Sequence, residues 1–162
     1  MVKIILHCSA SSFGNAALIA KWHVQERGWS GIGYHYVILN GWLTSNLYNP
    51  FFNGHIETGR PLDDDPVVKN SEQGAHVRGH NYNSVGICLI GNSGNFTDEQ
   101  LNSSLELVQR MERQFNTIQI CQHSDLDSQK PNCAGIDMEK WKRNYALYKE
   151  IATTIPEDGF IL

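Results

Sequence analysis

Four short apolar runs constrain this chain most: "KIILHC" at 3–8, "YHYVIL" at 34–39, "VGICLI" at 85–90 and "IQICQH" at 118–123. Their apolar residues are consecutive more than alternating, so as strands they bury side chains on both faces of a sheet. Such a sheet needs cover on each side, and helical patterns lie between the runs. In "NAALIAKWHVQERG", 15–28, Leu18, Trp22 and Gln25 share one stripe, with Ile19 and His23 beside it, and Gly28 closes the helix. At "TDEQ", 97–100, Thr97 caps a second helix, Gln100 reaches back, and acidic side chains occupy its positive end. Leu101, Leu105, Val108, Met111 and Phe115 then form its buried face. Met138, Trp141, Tyr145 and Tyr148 mark a closing helix from Asp137. "NGHIET", 53–58, reads as a short partner strand, and the aromatic, Gly/Asn-rich segment 40–55 fits either a long hairpin or a surface loop. The alternation predicts one α/β domain over 1–162, with a core of about 3–152, a tail at 153–162, and a central mixed sheet flanked by helices.

At 162 residues and 41% hydrophobic content the chain can bury a core without covalent staples. A net charge of −4 argues against nucleic acid as a partner. No apolar run is long enough to span a bilayer, and the apolar burst in "MVKIILHCSASS" is too short for a secretory signal. A monomer is expected, cytoplasmic at synthesis and without a membrane partner. Of the four cysteines, Cys8, Cys88 and Cys121 lie in apolar runs and read as small buried hydrophobes. Cys133, in the polar loop "HSDLDSQKPNC", needs another explanation.

A metal supplies one. His7 and His123 close two predicted strands, and residues at the ends of adjacent strands can meet at one rim of a sheet. Cys133 follows His123 by ten residues, close enough to fold back. Two imidazoles, one thiolate and a water make an open tetrahedral zinc site, the pattern of catalytic rather than structural zinc. Cys8 and Cys121 are rival sulfurs: Cys8 adjoins His7 and so points to the opposite face, whereas Cys121 shares a face with His123 and stays open as a ligand.

The motifs "ILHCSAS", "WHVQERGW", "GIGYHYVI", "ETGRPL", "GAHVRGHNYNSVGICLIG" and "HSDLDSQKPNC" occur in an order that resembles the type 2 N-acetylmuramoyl-L-alanine amidases, which include short phage lysozyme-type amidases and peptidoglycan recognition proteins. The likeness runs from about Lys3 to Trp141. It implies a zinc ion in a surface groove and hydrolysis of the amide joining the lactyl group of N-acetylmuramic acid to the first L-alanine of peptidoglycan. By resemblance the ligands are His7, His123 and Cys133, which settles the choice of sulfur. Members that only bind peptidoglycan commonly lack this cysteine, so its presence favours an enzyme, expected to be a phage or prophage endolysin acting on the wall after release. A peptidoglycan-binding module without turnover and a regulator that binds another macromolecule are the competing expectations.

The resemblance also assigns roles. Tyr34 and Lys130 match positions that stabilise the developing oxyanion or the departing group. His76 matches a groove residue expected to contact the muramyl sugar or a peptide carbonyl, Asn81 is a further substrate contact, and Arg60 is expected to pair with a stem-peptide carboxylate. Cys88 stands where some members carry a general-base glutamate, which leaves proton handling to Tyr34, Lys130 and the zinc site.

Overall fold

The computed structural model describes residues 1–154. Its main elements, in chain order, are β1 (Val2–Cys8), α1 (Ala16–Lys21), β2 (Tyr36–Thr44), β3 (Leu47–Thr58), β4 (Ser84–Leu89), α2 (Asp98–Phe115), β5 (Ile118–Gln122) and α3 (Met138–Thr154). The strands form one mixed sheet in the order β3-β2-β4-β1-β5. β1 is parallel to β4 and β5, β2 is parallel to β4, and β3 returns antiparallel to β2. α3 ends inside the expected tail, whose remaining residues, 155–162, lie outside the described part. No helix in the described part is long and apolar enough to cross a membrane.

The consecutive apolar residues of the strands are used on both faces. Ile4, Leu6, Ile38, Ile87 and Leu89 pack with Val108 and Met111 of α2 and Trp141 of α3. On the other face Val37, Leu39, Cys88 and Ile90 pack with Ile19 of α1, and Ile5 packs with Val77 and Cys121. Burying a Leu- or Ile-sized side chain contributes roughly 1.5–3 kcal/mol, which is why neither face can be left bare.

At the start of α2 the capping box is complete: Thr97 Oγ1 accepts from Gln100 N and Gln100 Oε1 accepts from Thr97 N, each at 3.1 Å. Fully buried Gln100 also donates through Nε2 to the carbonyls of Ile38 and Ile90, both at 2.9 Å, which bolts the helix to the sheet where β4 ends beside Ile38 of β2. Of the predicted apolar face, Leu105, Val108, Met111 and Phe115 are buried and Leu101 is partly so.

Of the two readings of segment 40–55, the long hairpin is the one found: the segment is most of a β2–β3 hairpin with register shifts between Ile38 and Thr44, and the short partner strand expected at 53–58 is the end of its 12-residue second strand. Those irregularities break the period-two pattern by which a strand is recognised. The first helix is shorter than predicted, because α1 gives way to a wider π-helical turn over Trp22–Glu26. Ile19 and His23 form its buried side, while Gln25 is exposed. Gly28, at φ +67°, ends the turn.

Candidate metal centre

The carboxyl ends of parallel strands are where an open α/β sheet leaves a crevice, and His7 stands there, one residue before the end of β1. It is fully buried and paired in register with Cys88 of β4. His123 follows β5 directly, at the head of a single 3-10 turn, His123–Asp125. Cys133 comes back to it through a loop closed by Cys133 N donating to Lys130 O at 3.1 Å and Ile136 N donating to Gln122 Oε1 at 3.0 Å. The Nδ1 atoms of His7 and His123 are 3.1 Å apart, Cys133 Sγ is 4.0 Å from His7 Nδ1, and the ligating atoms of all three residues lie within 4.8 Å of one another. A tetrahedral zinc ion with Zn–N bonds of ~2.0–2.1 Å would separate two nitrogens by about 3.3 Å.

The proton inventory makes the case for a cation stronger than the distances do. Ser84 has one hydroxyl hydrogen, and it goes to the Asn81 carbonyl at 2.9 Å, because a carbonyl only accepts. Ser84 Oγ must therefore accept from His76 Nε2 at 3.3 Å. His76 Nδ1 is then a lone pair and accepts from His7 Nε2 at 3.0 Å, which leaves His7 Nδ1 as a lone pair too. The Asp127 carboxylate, 3.6 Å from His123 Nε2, favours a proton there and frees His123 Nδ1 in the same way. Two lone pairs facing each other at 3.1 Å repel unless something positive lies between or beside them. Two imidazole nitrogens and a sulfur fit a zinc ion with one position left open, and the carboxylate and imidazole behind the ligands are the usual outer partners of such a site.

Burial keeps the imidazoles in the neutral form that ligates. Burial first, then the neighbouring His76 and His123, holds His7 well below the usual imidazole range. Burial also brings His76 to about 3, and it lowers His123 with help from the Lys130 ammonium and against Asp127. Hydrogen bonding with Cys133 draws Cys8 down to about 6, while Cys133 is pushed up by Cys8 and by burial. Cys8 does not join the ligand cluster, yet its backbone N–H donates to Cys133 Sγ at 3.4 Å, a bond that favours the thiolate a metal needs. Cys121, left open by strand parity, packs with Ile5 and Val77, and burial raises its thiol to about 11.

The other expected site residues are spread unevenly. The Tyr34 ring lies 5.1 Å from that of His7, and Tyr34 is only partly buried. Lys130 is exposed on the Cys133 loop. His76 is 8% exposed, and both ring nitrogens are engaged, by His7 and Ser84. Its ring lies against Gly86 of β4, where a Cβ would come within 2.6 Å, so the glycine in "SVGICL" is what lets an imidazole sit behind His7. Asn81 Oδ1 accepts from His76 N at 2.8 Å and Val77 N at 2.9 Å. Arg60 anchors the Tyr34 segment, with Nε on the Ile32 carbonyl at 3.0 Å and its backbone N on Tyr34 O at 2.8 Å. Sequence reasoning missed Ser84 and Asp127; the four-residue spacing of His123 and Asp127 was the available signal for the second, and nothing marked the first.

The hydrogen-bond polarity makes a prediction. His76→Ala leaves His7 free to rotate and to take the wrong tautomer, so zinc affinity should fall about 10–100-fold while the fold persists. Competition titration with a chromophoric chelator reads this directly; wild-type affinity in the variant would refute the relay.

Residues 2–136 match the protein family described as N-acetylmuramoyl-L-alanine amidase. The chain is 30% identical over 149 residues to an endolysin of Klebsiella phage KP32, covering 86% of this chain and 83% of that one. It is 28% identical over 148 residues to the endolysin of Escherichia phage T7, covering 85% and 83%. Among solved structures it is similar to the N-acetylmuramoyl-L-alanine amidase LysC from Clostridium intestinale URNW, with a TM-score of 0.69 and 26% identity over 89% of this chain and 84% of the other.

Proposed function

Since this chain belongs to the N-acetylmuramoyl-L-alanine amidase family, we propose that it is a zinc-dependent amidase of the phage endolysin type. In this reading it cleaves the bond between the lactyl group of N-acetylmuramic acid and L-alanine in peptidoglycan. The observation that supports zinc dependence most is the convergence of the ligating atoms of His7, His123 and Cys133 within 4.8 Å of one another.

Zinc, when bound by those three residues, supplies Lewis acidity to the scissile carbonyl and makes a water nucleophilic near neutral pH. The protein's own groups handle the remaining charge. Water adds to the carbonyl carbon, the C–N bond breaks, the lactyl group is left as a carboxylate, and the departing L-alanine nitrogen must gain a proton. Burial holds the Tyr34 phenol well above its usual range, so it remains an O–H donor at neutral pH. Tyr34 is therefore assigned to the departing nitrogen. Lys130, on the same loop as Cys133, is assigned to the negative charge that develops on the carbonyl oxygen. Cys88 cannot act as the missing carboxylate base, because burial pushes its thiol well above the ordinary range and keeps it protonated.

The test is digestion of purified sacculi by zinc-loaded protein, followed by mass spectrometry. The expected products are peptide-free glycan and stem peptides with new L-alanine amino termini. Absence of both from a fully metallated preparation would overturn the amidase reading.

A further inference from the structure

A second cleft, of about 430 Å³, opens where β2 and β4 end. It is lined by Trp42 and Tyr48 of the β2–β3 hairpin, Ser12 from the segment after β1, and Asn92, Asn95 and Thr97 ahead of α2. Trp42 and Tyr48 pair across the hairpin with ring centroids 5.1 Å apart, yet remain 43% and 44% exposed. Tyr48 lies over Gly41, at φ +86°, where a Cβ would come within 2.5 Å of the ring; only a bare backbone accommodates it there. Ser12, Asn92 and Asn95 are exposed. No residue lining the cleft carries a charge.

A short stretch of chain ties the cleft to the metal centre. Gly91, which also lines it, donates through its N–H to Ser9 Oγ at 3.0 Å and accepts from Ala10 N at 3.0 Å. Three residues from His7 to Ala10 span at most about 11 Å of chain.

We propose that this cleft is a glycan subsite, holding the uncharged N-acetylated sugar strand that continues from the muramyl residue under attack. The proposal rests on the amidase reading and adds to it the direction in which the polymer lies. A pyranose ring presents a face of C–H groups that stacks on exposed aromatic rings. Its acetamido group offers one donor and one acceptor, which the primary amides of Asn92 and Asn95 match. The stem peptide is a poorer occupant, because it carries carboxylates. The cleft offers them no cation, and exposed Asp98 and Glu99 follow Thr97 directly. Cations are found instead around the metal centre, with Lys130 on the Cys133 loop and Arg27, next to Glu26, in the hollow that Tyr34 lines. Charge thus sorts the substrate, with the peptide toward the cations and the glycan toward the hairpin.

The test uses zinc-loaded wild-type, Trp42→Ala and Asn95→Asp proteins. The substrates are soluble uncrosslinked peptidoglycan strands and a muramyl peptide bearing a single sugar; the ligand is hexameric N-acetylglucosamine, which has no stem peptide. KM on the strands should rise about tenfold in Trp42→Ala and less in Asn95→Asp, while kcat/KM on the single-sugar substrate is unchanged in both. The hexasaccharide should shift the NMR signal of the Trp42 indole N–H, identified by its loss in Trp42→Ala. Equal losses on both substrates, or strand kinetics unchanged in both variants, would overturn the subsite. If the wild type cleaves neither substrate the amidase reading fails instead, and the indole signal still decides the subsite: a shift supports it and none overturns it.

Discussion

Changing Cys133 to alanine should strip the zinc and abolish amide hydrolysis, while Cys121→Ala should keep both. The contrast separates two sulfurs that strand parity alone does not distinguish. Cys133 Sγ is 4.0 Å from His7 Nδ1 and accepts the Cys8 N–H, whereas Cys121 is packed among Ile5 and Val77. Losing a ligand must cost more than losing an outer partner, so affinity should drop by more than about 100-fold. Activity should fall to less than about a thousandth, since without the ion neither water nor carbonyl is activated. Metal analysis by mass spectrometry, alongside release of L-alanine amino termini, measures both. Wild-type zinc content in Cys133→Ala would remove the ligand from the scheme, and loss of zinc in Cys121→Ala would put the wrong sulfur in it.

Tyr34→Phe and Lys130→Ala should behave differently, each retaining zinc yet losing about 10²–10³ in kcat. Phenylalanine keeps the ring that packs 5.1 Å from His7, so a fall in rate isolates the phenolic O–H. Lys130 is exposed, and its removal should leave thermal stability near wild type. If the assigned roles hold, both losses appear in kcat with KM little changed, because a donor to a developing charge binds the transition state more tightly than the ground state. Tyr34→Phe with undiminished kcat would move proton delivery elsewhere, and Lys130→Ala acting only on KM would make the lysine a substrate contact.

The architecture was legible because it rests on local signals. Consecutive apolar residues in "KIILHC" and "VGICLI" demand a sheet covered on both sides, and the Thr97–Gln100 box marks the start of α2 by chemistry contained in four residues. The β2–β3 hairpin was less legible, since its register shifts disrupt the alternation that identifies a strand. The burial of His76 was not legible for a related reason. A histidine in a polar, glycine-bounded loop looks available to substrate, and only the glycine at position 86, distant in the pattern of loops, opens the space in which its ring is buried behind His7.

By itself, then, the order of residues determined which side chains are chemically able to ligate and which segments must be buried, because hydrophobic periodicity and donor type are properties of the chain. Tertiary structure decided which of the sulfurs stands near His7 and His123, and in which tautomer those imidazoles are held. The first depends on where the loop after β5 crosses back over the strand ends. The second depends, for His7, on a hydroxyl at Ser84 giving its one hydrogen to the Asn81 carbonyl and, for His123, on the Asp127 carboxylate beside its Nε2, and hydrogen-bond direction is a property of the assembled network rather than of any one residue.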